Sequence, residues 1–304
     1  MYDVIIVGGG PAGLAGALML GRARRRVLLC DAGARRNAAA TRMHNFVTRD
    51  GTPPDEFRRV AREQLAEYPN VELLDARVQQ VTGEKGELEV RAGERTISAR
   101  RLLLCTGMID EVPKLPGADA LWGKAIFQCP YCHGWEVRDR PWGYLARPDD
   151  LGHLVPFVTQ LRGWTEDVTL FTSGAFELPD EARRVLAGAG VRVEEAPVAG
   201  LIAEGERLVA VELAGGGRTP CEALYAHPAQ RQTELILSLG LTLEAGFVQV
   251  DPMRRETSMP GVYAAGDLTT RMQAALPGAA TAMQAASMIH VDLAMEQALE
   301  RASP

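Results

Sequence analysis

The chain has 304 residues, 46% of them hydrophobic, and 33 basic against 39 acidic residues give a formal net charge of -6. Two ordinary cores can be buried at this length, and the mixed, slightly acidic charge excludes a nucleic-acid footprint. No apolar run reaches membrane-spanning length, and Met1-Tyr2-Asp3 lacks the basic flank of a signal peptide. The expectation is a cytoplasmic protein that does not enter a membrane. Five cysteines, an odd number, argue against a secreted disulfide framework.

Val4 to Val7 predicts a short buried strand running into Gly8-Gly9-Gly10-Pro11-Ala12-Gly13, followed by a helical pattern through Leu14, Leu18 and Leu20. In a G-x-G-x-x-G turn, Gly8 makes the tight bend, Gly10 lets the backbone approach a pyrophosphate, and Gly13 lets the helix pack on its strand. The next apolar run, Val27 to Cys30, ends at Asp31, where a carboxylate can accept ribose hydroxyls. Strand, glycine turn, helix and acid together predict a dinucleotide site. The arginine cluster from Arg22 to Arg26 reads as a solvated helix end. A second buried strand, Leu102-Leu103-Leu104, ends in Cys105-Thr106-Gly107.

Prolines at Val112-Pro113-Lys114-Leu115-Pro116-Gly117 and at Ala226-His227-Pro228 bound a middle segment. Near its start stands Cys129-Pro130-Tyr131-Cys132-His133-Gly134. Two thiols at this spacing can close a small disulfide ring, and a helix starting just after Cys129 would lower its pKa below the free value of about 8.5. Half a zinc site and an inert thiol pair are the other readings. The remaining cysteines, Cys30, Cys105 and Cys221, are isolated and suit core positions, so no metal is expected. CPYC is also a glutaredoxin-type string, but that fold carries it near its start. His133 is the titratable group nearest the pair, while nothing in the sequence places His44 or His227 at the sulfurs.

Trp142 to Ala146 and Val168 to Phe171 predict strands flanking a helix over about Leu151 to Leu161, the outline of a second Rossmann-like unit. Its turn, Ala146-Arg147-Pro148-Asp149-Asp150-Leu151-Gly152, has lost the glycines a nicotinamide nucleotide needs. Asp149 and Asp150 repel a pyrophosphate and Pro148 removes a backbone donor. Near the C-terminus Gly261-Val262-Tyr263-Ala264-Ala265-Gly266-Asp267 predicts one more buried strand and turn, followed by a helix from about Pro277-Gly278.

The glycine motif, the Cys105-Thr106-Gly107 turn and the Gly261 to Asp267 stretch resemble the three-part FAD signature of two-dinucleotide-domain flavoproteins. In order and nearly throughout, the chain resembles the low-molecular-weight thioredoxin reductase family. Cys129 to Glu136, together with Arg36-Asn37 and Met43-His44-Asn45-Phe46, looks most like the FAD-dependent dithiol oxidases that close disulfides in gliotoxin- and holomycin-type natural products. Where thioredoxin reductases usually have Asp after the second Cys, this chain has His133.

The resemblance implies an α/β fold of two Rossmann-like domains: 1–114 and 229–304 as two halves of an FAD domain, and 115–228 as a middle domain carrying the C-x-x-C. It implies FAD held by Gly8, Gly10, Pro11, Ala12, Gly13, Asp31, Thr106, Gly107, Gly266 and Asp267, with Asn45 near the isoalloxazine. Cys132 would be the flavin-proximal sulfur and Cys129 the sulfur that meets substrate, and the chain would form a homodimer. With the altered nicotinamide turn, the reading is a dithiol oxidase that passes two electrons through the cysteine pair to FAD and then to dioxygen, giving hydrogen peroxide. His133 would relay thiol protons near neutrality. Alternatives are a disulfide reductase fed by NADPH or a ferredoxin, and a flavin-binding redox sensor with negligible turnover.

Overall fold

The computed structural model describes residues 1–302. The chain divides into two compact units. The first comprises Met1–Ala38, Phe46–Ile109 and the residues from Gln230 onward; the second comprises Ala39–Asn45 and Asp110–Ala229.

In the first unit, β1 (Tyr2–Val7) pairs in parallel with β2 (Val27–Cys30), which pairs with β3 (Val71–Leu74). Next to them, β4 (Val78–Glu84) and β5 (Glu87–Ala92) form an antiparallel hairpin against β6 (Arg95–Leu104). At ten residues β6 serves two partners on one edge, the hairpin along Arg95–Ala99 and the parallel strand Val262–Ala264 along Leu102–Leu104. Its other edge pairs with β1.

Both faces of this sheet are covered, which explains the unbroken apolar runs in its strands. Ile5, Val7, Leu28, Leu102 and Leu104 pack toward Leu235 and Ile236. Val4, Ile6, Val27, Leu29 and Leu103 pack toward α1 (Pro11–Arg22) and the C-terminal helix Ala275–Ala302. Small residues let these two helices approach: a Cβ on Gly16 would meet Leu103 at 2.9 Å and Ala282 at 3.8 Å. The C-terminal helix starts at Ala275, ahead of the expected Pro277, because proline is tolerated in a first turn where no intrahelical acceptor awaits its nitrogen. Arg25, read as part of a solvated cluster, is instead buried, and its guanidinium donates to His290 Nδ1 at 3.0 Å.

The second unit holds a five-stranded parallel sheet in the order Arg192–Glu194, Val168–Phe171, Trp142–Leu145, Ala223–Ala226, Ile126–Phe127. Helices Leu154–Leu161 and Asp180–Gly188 connect its first strands. The first of these begins later than the expected Leu151, because Pro148–Asp150 forms a separate 3-10 turn. An antiparallel sheet, Val198–Glu204, Arg207–Leu213 and Arg218–Pro220, completes the unit.

Candidate functional site

In the first unit the register aligns Val7 with Cys30 and with Leu104, and Leu104 with Ala264. The segments that follow, Gly8 to Gly13, Asp31, Thr106-Gly107 and Gly266-Asp267, therefore emerge at one carboxyl edge of one sheet, where open α/β sheets bind ligands. Two glycines are sterically required there. A Cβ on Gly8 (φ +111°) would lie 2.2 Å from the Cys105 carbonyl oxygen, and one on Gly13 would lie 1.8 Å from that of Gly8. Gly10 and Gly107 differ: no atom lies within 4 Å of where a Cβ would be, so bare backbone faces open space. Pro11 opens α1, and helix geometry leaves the Ala12 and Gly13 amides without intrahelical acceptors. That is an anion cradle with no acidic side chain in its first turn.

Asp31 is buried, accepts the Gly33 amide at 3.2 Å and pairs with Arg58. Asp267 accepts from Arg36 Nη1 at 3.0 Å, and the Gly266 amide donates to Thr281 Oγ1 at 3.1 Å. These residues fit FAD: donors for the diphosphate, an acid for the ribose and a second acid at the far turn. Sequence reasoning did not foresee Arg58, whose place on the helix Pro54–Ala66 carries no motif.

In the second unit Cys129 caps the turn Pro130–His133, so the helix expected after it is present, though only four residues long. The Cys132 amide donates to the Cys129 carbonyl at 3.2 Å, and the Gly134 amide to that of Pro130 at 2.7 Å. A side chain at Gly134 would strike Pro130 O at 2.4 Å and Trp164 Nε1 at 2.9 Å, so the turn rests directly on the indole layer. The Cys129 thiol is drawn down to about 7, chiefly by a hydrogen bond from Cys132 and further by the amides of Cys132 and Tyr131, which together outweigh burial. Burial pushes Cys30 and Cys221 up to about 12 and Cys105 up as well, leaving one pair of usable sulfurs.

His133 stacks on Phe127 with ring centroids 4.5 Å apart and planes at 15°. Burial, reinforced by the His44 charge and opposed by Glu136, lowers its pKa, so the ring is neutral at pH 7. His44 itself lies 3.5 Å from Glu136. Asn45, expected beside the flavin ring, belongs to this unit, where its amide donates to the Tyr131 carbonyl at 2.7 Å with φ +63°. The fold thus groups Asn45 with Cys129, Cys132 and His133, and the other expected residues with the cradle.

The turn after Trp142–Leu145 closes on itself. The Asp150 carboxylate is buried and accepts the Arg147 amide at 2.8 Å and the Tyr144 hydroxyl at 2.9 Å. Tyr144 Oη also lies 2.9 Å from His227 Nδ1, and Arg147 reaches the His227 carbonyl at 3.2 Å. The amide a phosphate would use is therefore already satisfied by a carboxylate. Asp150, His153 and His227 offer atoms within 4.8 Å of one another, a set that sequence spacing did not suggest. Here Asp150 and His227 are engaged by Tyr144.

The pyridine nucleotide-disulphide oxidoreductase family matches residues 2–155 and 168–287. The chain belongs to this family. It is similar to the thioredoxin reductase aclD of Aspergillus oryzae, 34% identical over 291 residues and 90% of this chain against 91% of that one. A probable thioredoxin reductase of Arthroderma benhamiae is 37% identical over 180 residues, 57% of this chain and 44% of that one. Among solved structures, HlmI superposes with a TM-score of 0.90 at 36% identity, covering 99% of this chain and 96% of HlmI. The protein is a flavin-dependent thiol-disulfide oxidoreductase with FAD as its cofactor, and its fold is the two-domain Rossmann type of this family. Among the described residues no helix is long and apolar enough to cross a membrane.

Proposed function

We propose that the protein is a dithiol oxidase in which Cys129 and Cys132 form the exchanging pair. The observation that carries this reading is the contrast between a Cys129 thiol drawn down to about 7 and a nucleotide-type turn whose Arg147 amide is occupied by Asp150. A substrate thiolate attacks Cys129 of the enzyme disulfide and Cys132 leaves as thiolate. The second substrate thiolate then attacks its own sulfur in the mixed disulfide, and Cys129 leaves. A leaving thiol of low pKa departs readily, which suits Cys129 to this step. The substrate ends as a disulfide and the enzyme as a dithiol, the two protons of the substrate thiols passing to the enzyme sulfurs. His133, neutral at pH 7, is the base we assign to them.

FAD, when bound, would supply the sink for the two electrons of the reduced pair, with dioxygen as the acceptor that gives hydrogen peroxide. Gly8, Gly10, Pro11, Ala12, Gly13, Asp31, Thr106, Gly107, Gly266 and Asp267 are the residues we assign to holding it, with Asn45 steadying the redox turn through Tyr131.

Anaerobic titration of the flavin absorbance, NADPH first and a small dithiol second, tests the proposal. Bleaching by the dithiol alone, with stoichiometric peroxide on readmitting air, is the expected result. Bleaching by micromolar NADPH would favour a disulfide reductase instead, the reading suggested by the name of the Aspergillus oryzae relative.

A further inference from the structure

Of the four fully buried tryptophan and tyrosine side chains, three have their polar atom bonded to a protein partner. Trp142 Nε1 donates to the Val137 carbonyl at 2.8 Å, Tyr144 to Asp150 at 2.9 Å and Tyr263 to Asp292 at 3.1 Å. Tyr225 is the exception. Its side chain is fully buried and its hydroxyl has no hydrogen-bond partner among the described residues. Leaving a hydroxyl dry and unpaired costs about 1–3 kcal/mol, so such a group calls for an explanation.

Its surroundings supply one. Tyr225 stands in register with Phe127 on the neighbouring parallel strand, two residues before Cys129. The two rings lie 5.9 Å apart, and Phe127 also carries the His133 ring. Trp142, on which the Gly134 end of the redox turn rests, lies 4.7 Å from Tyr225. The groups whose charge reaches the phenol are Cys129, Cys132 and Glu136, and with burial all three raise its pKa, so the phenol keeps its proton. Thiols and disulfides are weak acceptors of a hydrogen bond, whereas a thiolate is a strong one.

We propose that the Tyr225 hydroxyl is held in reserve for the Cys129–Cys132 pair and donates its hydrogen bond when the pair carries a thiolate. The orphaned state then belongs to the uncharged pair, and the partner appears only when charge does. Tyr225 acts by stabilising that charge and transfers no proton. This role concerns the sulfur chemistry shared by oxidase and reductase, and so deepens the function proposed above without depending on the electron acceptor.

The test is Tyr225→Phe in the FAD-loaded protein, which removes one oxygen and keeps the ring. After reduction with a phosphine, the rate of Cys129 carbamidomethylation is followed against pH by peptide mass spectrometry. The variant's midpoint is expected about one unit above that of the wild type. The oxidised variant should melt at the wild-type temperature or above it, since it has lost an unpaired group. An unshifted midpoint in a folded, FAD-loaded variant would overturn the proposal, as would a drop in the melting temperature of the oxidised form alone. If NADPH proves to reduce the flavin, the oxidase reading fails while this midpoint still decides the role of Tyr225.

Discussion

Arg36 Nη1 donates to Asp267 Oδ2 at 3.0 Å, joining the loop that follows β2 to the turn that follows Val262–Ala264. The contact is local in space and 231 residues apart in sequence. It ties the Asp267 carboxylate at the carboxyl edge of the sheet, next to Gly266, where a Cβ would lie 3.1 Å from that of Ala12.

Removing that arginine should loosen the flavin without unfolding its unit. Arg36→Ala is expected to weaken FAD retention by roughly tenfold, about 1.4 kcal/mol, while Asp267→Ala does at least as much. Flavin fluorescence released on dilution measures both. Retention at the wild-type level in both variants would remove Asp267 from the cofactor site.

The two sulfurs should prove inequivalent. Cys132→Ser is expected to abolish flavin reduction by dithiols while FAD stays bound, because Cys129 without its partner sulfur has no disulfide for a substrate thiolate to open. Persisting reduction would overturn the electron route. In the wild-type reduced enzyme, alkylation of Cys129 should rise through a midpoint near 7 as pH increases, since the lowered pKa makes thiolate available above it. Cys30, Cys105 and Cys221 should stay unlabelled over the same range because burial holds them protonated.

Asp150 is expected to matter for stability and little for dithiol turnover. Asp150→Ala strands the Arg147 amide and leaves the buried Tyr144 hydroxyl with His227 Nδ1 alone, a loss of about 1–3 kcal/mol. Urea unfolding would show it as a lower midpoint at unchanged slope. An unchanged midpoint would mean that this closure of the turn contributes nothing.

Arg101 is fully buried and bonds Asp292 at 2.6 Å and Glu296, with Lys85 and Tyr263 also on Asp292. Arg101→Ala should destabilise the first unit by about 3–5 kcal/mol, because it empties a fully buried site and removes the cation shared by Asp292 and Glu296, which keep Lys85 and Arg100. Burial raises the pKa of both acids, but their cation partners outweigh it and the net direction is down. Folding therefore binds fewer protons than the unfolded chain does. The stabilisation is complete above the ordinary carboxylate values of 3.8 and 4.5 and is lost as pH falls through the lower folded values. Thermal melts between pH 3 and 7 would check this; in the Arg101→Ala variant the acid-side loss should be smaller.

The dinucleotide cradle, the redox pair and the lost glycines of the second turn were all legible in the chain, because each depends on residues within one tight turn. Gly8 and Gly13 admit no side chain whatever surrounds the domain, and two cysteines three positions apart are neighbours on any short helix. Tertiary structure alone decided the rest. Arg58 reaches Asp31 from a helix with no motif, Asn45 joins the redox turn through Tyr131, and Asp150 closes its turn only because Tyr144 and Arg147 present donors to it. Tyr225 shows the limit most plainly: in sequence it is one apolar strand position among many. Only the parallel register with Phe127 brings an unpaired hydroxyl close enough to feel the charge of two sulfurs some 95 positions earlier, since strand pairing is a long-range choice made by packing.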